Sequence, residues 1–331
     1  MFIIQNYSTA VIFCFITMLC WGSWANTQKL AASTWRFELF YWDYVWGILL
    51  MALLFAFTLG SVGAAGRSFW PDMAQASAAS MGSAVLGGII FNAANILLGA
   101  AIAIAGMSVA FPVGIGIALV WGVLVNYIDN PVGDSWRLFA GVALVGLAIL
   151  LNAFAYRRTA AHTQSVSSKG LILSIVAGVA MGFFYKYVAA SMFPDFSQPM
   201  AGKLSPYTAV VFFALGILGS NLLFNTLLMK QPFVGNPVSY ADYFKGNFRS
   251  HLTGILGGAI WCVGMSCSII ASGKAGPAIS YGLGQGATVV AAIWGIFIWH
   301  EFKNAPKGTG LVLNSMLVCY LIGLGLIIAA R

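Results

Sequence analysis

The chain has 331 residues, 60% hydrophobic and only 7% charged, with a formal net charge of +8. A soluble domain carries about 25% charged residues, and a single soluble core stops growing at roughly 250–300 residues. With a mean hydropathy of +0.89, these proportions exclude a water-soluble globular protein and make lipid the bulk solvent. The basic balance does not indicate nucleic acid, because Lys and Arg fall mostly between apolar runs and form no basic stripe with interleaved aromatics.

A bilayer core takes about 20 apolar residues in helix. Ten runs reach that length, at about 7–28, 37–60, 82–105, 108–128, 137–156, 170–190, 206–229, 252–272, 275–299 and 308–330. The predicted fold class is therefore all-α, a polytopic membrane protein with ten transmembrane helices. No Lys or Arg precedes the first run and no A-x-A site closes it, so it reads as a retained span and not a cleaved signal.

The first run ends in W-G-S-W-A-N, which places Trp24 and Asn26 near one membrane surface. The second opens R-F-E-L-F-Y-W-D-Y-V-W and puts Asp43 inside an apolar segment, in a chain with only 8 acidic residues. Two readings stay open for it. Trp35, Tyr41, Trp42, Tyr44 and Trp46 resemble an aromatic belt, which would leave Asp43 at the headgroups with Arg36 and Glu38. Alternatively, a carboxylate drawn out of water holds its proton more readily and could couple transport to a proton gradient, with Glu38 as the second candidate.

The third run carries Asn92 and Asn95, three apart and so on one helix face, flanked by Gly88 and Gly99. Intramembrane amides either glue helices together or face a cavity. Pro112 marks a kink in the fourth run, and Trp121 offers a ring for stacking. Lys186, in F-F-Y-K-Y of the sixth run, either snorkels to the interface or faces a solute path. Asn221 and Asn225 in the seventh run read as structural hydrogen-bonding groups. The ninth run places Gln285 at mid-depth, with Tyr281 and Thr288 on its face. Gly282, Gly284 and Gly286 beside it would let the helix pack closely or unwind. Substrate contact is therefore expected from Asn92, Asn95, Gln285, Tyr281, Trp24, Lys186 and Trp121.

Tight connections G-M-S and S-G-K-A-G-P follow the third and eighth runs, at corresponding places in the two halves. The expected organisation is two inverted five-helix repeats, 1–160 and 161–331, because an odd number of spans per half reverses orientation. Ten Lys and Arg fall on one side and five on the other, which puts both termini outside. The segment 230–251, with Tyr240, Tyr243, Phe244 and Phe248 at helical spacing, reads either as a short surface helix or as irregular loop.

The five cysteines lie in apolar runs without metal-ligand spacing, so no metal or cofactor is expected. His162, His251 and His300 fall at span ends or in loops, and neither H-E-x-x-H nor G-x-S-x-G occurs, which speaks against a membrane enzyme. An efflux carrier for hydrophobic compounds is the main alternative to a carrier of polar solutes. The sequence does not give an oligomeric state.

Several stretches resemble the plant ureide permeases: W-D-Y at 42–44, G-M-S-V at 106–109, W-G-V-L-V-N-Y-I-D at 121–129, G-K-L-S-P-Y-T-A at 202–209 and W-G-I-F-I-W-H-E-F at 294–302. The resemblance spans nearly the whole chain and extends to the glucose/ribose porters of the drug/metabolite transporter superfamily. It implies proton-driven carriage of small polar solutes, either ureides such as allantoin or sugars, by ten helices in two inverted halves. One departure is the short central loop, R-R-T-A-A-H-T-Q-S-V-S-S-K. The plant proteins carry a long loop there with a nucleotide-binding-like motif.

Overall fold

The computed structural model describes residues 1–31, 35–105, 107–159 and 167–331. It contains ten helical spans: α1 (Tyr7–Leu30), α2 (Phe37–Phe57), α3 (Ala78–Ala105), α4 (Val109–Asp129), α5 (Ser135–Thr159), α6 (Ser168–Ser191), α7 (Pro206–Lys230), α8 (Phe248–Ala275), α9 (Pro277–Ile298) and α10 (Thr309–Ile328). Each lies within four residues of its predicted run. Local chemistry sets their starts: Asn6, Ser167, Ser205 and Asn247 each accept a backbone N–H in the first turn, which satisfies one of the donors a helix start leaves unpaired. The α8–α9 turn is only Gly276, at φ +84°, before Pro277 opens the next helix. The α3–α4 connection lies partly outside the described residues, and so do His162 and much of the central loop.

Both chain ends lie on one face, which we call the terminal face. The Met1 amine donates to the carbonyls of Gly63 and Ala65. Tyr7 donates to the Ile328 carbonyl at 2.7 Å and Asp134 N–H to that of Ala330 at 2.5 Å. On the opposite face lie the α1–α2, α7–α8 and α9–α10 connections. The α7–α8 connection forms the short helix Tyr240–Phe244 with a Ser239–Asp242 capping box. Phe244 and Phe248 beside it are almost fully exposed, as a helix lying against lipid requires.

Helix contacts recur across the two halves. α3 packs on α6 as α8 packs on α1; α2 on α8 as α7 on α3; α4 on α6 as α9 on α1; and α4 on α5 as α9 on α10. Glycines make these approaches possible. A Cβ on Gly258 would collide with the Tyr44 carbonyl, and one on Gly47 with that of Ile255, so α2 and α8 touch backbone to backbone. A shift of about half the chain gives the same contact between α7 and α3: Gly88 meets the Phe213 carbonyl and Gly216 that of Val85. Gly22 on α1 faces the Ala287 carbonyl and Val290, and Gly178 on α6 likewise faces the Gly114 carbonyl and Ile117; a Cβ on either glycine would lie 2.5 Å from the carbonyl oxygen. Without a hydrophobic force between helices in lipid, such close packing supplies much of the association. Ion pairs repeat too. Lys29 at the end of α1 meets Glu301 after α9, and Lys186 near the end of α6 meets Asp129 at the end of α4, each at 2.9 Å. The first pair lies at the opposite face, the second at the terminal face.

Candidate functional site

A chamber of about 120 Å³ lies between α1, α3, α4, α6, α8 and α9. Its walls are largely aromatic, with Trp21, Trp24, Phe91, Phe111, Phe184 and Trp261 among them. These rings hold one another in place. Trp21 stacks on Trp261 with centroids 5.8 Å apart and donates Nε1–H to the Trp261 carbonyl, and Phe91 lies 4.4 Å from Trp261. Such mutual packing presents fixed apolar faces to a ligand at low entropic cost.

Three polar side chains line this wall: Asn95, Gln285 and Thr288. Asn95 donates from Nδ2 to the Tyr41 hydroxyl at 3.1 Å, which leaves its carbonyl oxygen without a partner among the described residues. Gln285 sits where α9 is interrupted. Helix ends at Gly284, two residues turn, and helix resumes at Ala287. The Gln285 carbonyl accepts from both the N–H and the hydroxyl of Thr288. Its side-chain amide makes no hydrogen bond among the described residues, although the residue is only 8% exposed. An amide that lines a cavity with no protein partner is free to pair with a ligand or water there.

The chamber is continuous with a vestibule toward the opposite face. Trp24, Asn95, Leu98 and Phe111 also line a vestibule of about 430 Å³ that reaches the opposite face past Gln28, Arg36 and Glu38. A second vestibule, of about 580 Å³, lies at the terminal face and shares no lining residue with the chamber.

The structure divides the sequence-expected substrate residues. Trp24, Asn95 and Gln285 line the chamber, but four others do not. Asn92 is fully buried: it accepts from Tyr41 at 2.9 Å and donates to Ser220 Oγ at 2.9 Å, tying α3 to α2 and α7. Its place three residues before Asn95 turns it about 60° around the helix, enough to face α7 instead of the cavity. Tyr281 is also fully buried; its ring packs into the room that Gly122 leaves on α4, and its hydroxyl bonds to the carbonyls of Ala118 and Met181. Trp121 lines an outward groove with Pro112 and Leu150. Lys186 extends to Asp129 in the terminal-face vestibule.

The acidic candidates both lie near the opposite face. Glu38 is 6% exposed, lines the open vestibule and is held by Arg36, with Nη2–Oε1 at 2.6 Å. Asp43 is 1% exposed and lies behind it. Asp43 Oδ1 meets His251 Nδ1 at 2.8 Å and accepts from the Tyr243 hydroxyl at 2.6 Å. Asp43 Oδ2 and Trp35 Nε1 are buried without hydrogen bonds. Burial, and then the bond it gives to Asp43, push the Tyr243 phenol up, so it remains a donor. Sequence reading missed His251 and Tyr243 as partners of Asp43, because about two hundred residues separate them and nothing local signals the meeting. Asn225 fulfils its structural role by donating to the Glu38 carbonyl at 2.9 Å, whereas the buried Asn221 amide has no partner among the described residues.

Ten spans among the described residues, around a chamber continuous with a vestibule at one face, define a polytopic membrane transporter. Comparison with known proteins narrows the class. The Ureide permease family model matches residues 40–169 and 157–330, and the chain belongs to that family. It is 23% identical to Ureide permease 1 of Arabidopsis thaliana over 390 aligned residues, covering 100% of this chain and 99% of that protein. Ureide permease 2 of the same plant is likewise 23% identical, over 398 residues, with the same coverage. A solved structure described as "Crystal structure of protein" superposes with a TM-score of 0.60 at 17% identity, over 98% of this chain and 99% of the other, and shares the fold.

Proposed function

We propose that this protein is a secondary transporter that binds a small, neutral, ureide-type solute in the central chamber and moves it with a proton. The observation that carries the reading is the meeting of Asn95 and Gln285 at one aromatic-walled cavity. A carboxamide has adjacent donor and acceptor groups. It can pair with a ring –NH–CO– edge through two antiparallel hydrogen bonds while the ring stacks on Trp24 or Trp21. A sugar presents hydroxyls around its whole rim and calls for more polar contacts than two amides and Thr288 supply. A purely hydrophobic solute would leave the Gln285 amide unpaired, which disfavours efflux of apolar compounds. The names of the relatives agree with the ureide choice.

Proton coupling is assigned to Asp43, supported by its burial and its contact with His251 and Tyr243. Glu38, already neutralised by Arg36, is the second candidate. The repeated glycine contacts and ion pairs support inverted halves at 1–160 and 161–331. The Lys and Arg count supports a cell-membrane protein with the open vestibule toward the cytoplasm and both termini outside.

The test is uptake of labelled allantoin into liposomes carrying the purified protein. Uptake should require a pH gradient, and glucose should not compete. Uptake indifferent to both pH and voltage would remove the coupling, and competition by glucose but not by other ureides would remove the substrate class.

A further inference from the structure

We propose that the hydroxyl cluster Tyr185–Ser268–Ser280 is the gate that shuts the chamber off from the terminal face, and that the space beyond it is the second solute vestibule. The proposal rests on the transport reading of the chamber. All three residues are fully buried. Tyr185 Oη lies 3.0 Å from Ser268 Oγ and 3.4 Å from Ser280 Oγ. The two serine hydroxyls are 3.1 Å apart, and Ser280 donates to the Ser268 carbonyl at 2.7 Å. The cluster joins α6, α8 and α9 at one level.

On each of those helices the gate residue lies between a chamber residue and a vestibule residue. α6 runs from Phe184 at the chamber through Tyr185 to Ala189 at the vestibule. α8 runs from Trp261 through Ser268 to Ser272, and α9 from Pro277 at the vestibule through Ser280 to Gln285. At 1.5 Å per residue, Ser280 is only about 4.5 Å along the helix from the vestibule residue Pro277. On the chamber side, the ring of Tyr281 packs between Phe184 and Tyr185 and thickens the barrier.

In the other half, the positions corresponding to Ser268 and Tyr185 carry no hydroxyl. The shift that superimposes Gly258 on Gly88 carries Ser268 to Leu98, and the one relating Lys186 to Lys29 carries Tyr185 to Gln28. Leu98 lines both the chamber and its open vestibule, and Gln28 lines that vestibule. Neither can rebuild a hydroxyl network with the other. The hydroxyl network lies on the side where the chamber and vestibule share no lining residue, and these two counterparts line the side where they do. Hydroxyl–hydroxyl bonds suit a gate, because each is exchanged for water at little net cost when the path wets.

A native reporter sits at the cluster. Cys14 is 1% exposed and its Sγ lies 3.7 Å from Ser280 Oγ. The experiment uses the full-length protein with Cys20, Cys262, Cys267 and Cys319 replaced by Ala, and measures Cys14 labelling by a charged methanethiosulfonate in detergent, without solute. Labelling should be slow in that background and at least tenfold faster with Tyr185→Phe, or with Ser280→Ala if the first variant folds poorly. Tyr281→Phe, which removes a neighbouring buried hydroxyl outside the cluster, should change the rate less than twofold. Adding Ala189→Trp in the terminal-face vestibule should reverse the acceleration, and Gly99→Trp in the open vestibule should not. Fast labelling in the parent, no acceleration by the cluster variants, equal acceleration by Tyr281→Phe, or reversal by Gly99→Trp would each overturn the proposal. The readout contains no solute, so its failure leaves the chamber's substrate open, and failure of the ureide reading leaves the gate intact.

Discussion

The two ends of the molecule are built on one packing scheme and left in different states. At the opposite face α1, α3 and α4 part, and Asn95 sees solvent through a vestibule lined by Gln28 and Glu38. At the terminal face the corresponding helices α6, α8 and α9 close over the chamber through Tyr185, Ser268 and Ser280. Both ends keep their ion pair, Lys29–Glu301 and Lys186–Asp129. Those salt bridges therefore do not distinguish open from closed; the layer nearer the chamber does. On the open side, Glu301 is buried enough for desolvation to oppose its charge. Bonds from Tyr156 and Lys29 outweigh that and hold its carboxyl below the usual range.

The sharpest way to break the comparison is to crowd its glycines. Gly258→Val and Gly88→Val should each destabilise by about 1–3 kcal/mol or more, seen as matched losses of folded yield and melting temperature. Gly219→Ala, with no atom near its new Cβ, should stay within about 0.5 kcal/mol. Sensitivity in only one half would separate the two packing units. A smaller effect is expected in the chamber. Gln285→Ala should weaken ureide affinity at least tenfold, about 1.4 kcal/mol, and Asn95→Ala by somewhat less. Asn92→Ala should lower stability and leave the dissociation constant alone, and equal loss of affinity there would return Asn92 to the site. Asp43→Asn should abolish the response of uptake to a pH gradient while solute exchange continues, and a retained response would move the proton to Glu38. Smallest of all is Lys186→Met. Its pair is about one-third exposed, so the stability change should stay below about 1 kcal/mol and the affinity unchanged.

Much of the architecture was legible because bilayer thickness fixes helix length, and apolar runs of that length announce themselves. The surface helix before α8 was one of two open readings, and its aromatic spacing matched the structure. Interior geometry was less accessible. Asn92 and Asn95 share a helix stripe, yet the 60° between them decides which one meets the chamber. Tyr281 and Gln285 are four apart and joined by a helical hydrogen bond, yet the Tyr281 ring turns into the room that Gly122 leaves on α4 while Gln285 lines the chamber. Lys186 followed its long stem to Asp129, a partner on another helix. The proposed repeat rested in the sequence on two tight connections and an odd span count, since the glycines at the matching helix contacts do not stand out in a chain with 38 of them. His251 reaches Asp43 through the packing of α2 against α8, and Tyr243 from the short helix before α8, a meeting that no sequence window contains.

Thermal unfolding of the purified wild type and of Gln285→Ala, with and without allantoin, tests the chamber most directly. A ligand at 100 times its dissociation constant adds about 2.7 kcal/mol of stability. Allantoin should raise the wild-type midpoint by several degrees and leave Gln285→Ala unmoved at the same concentration, with the two unliganded midpoints alike. An equal rise in both proteins would place the solute elsewhere and contradict the account.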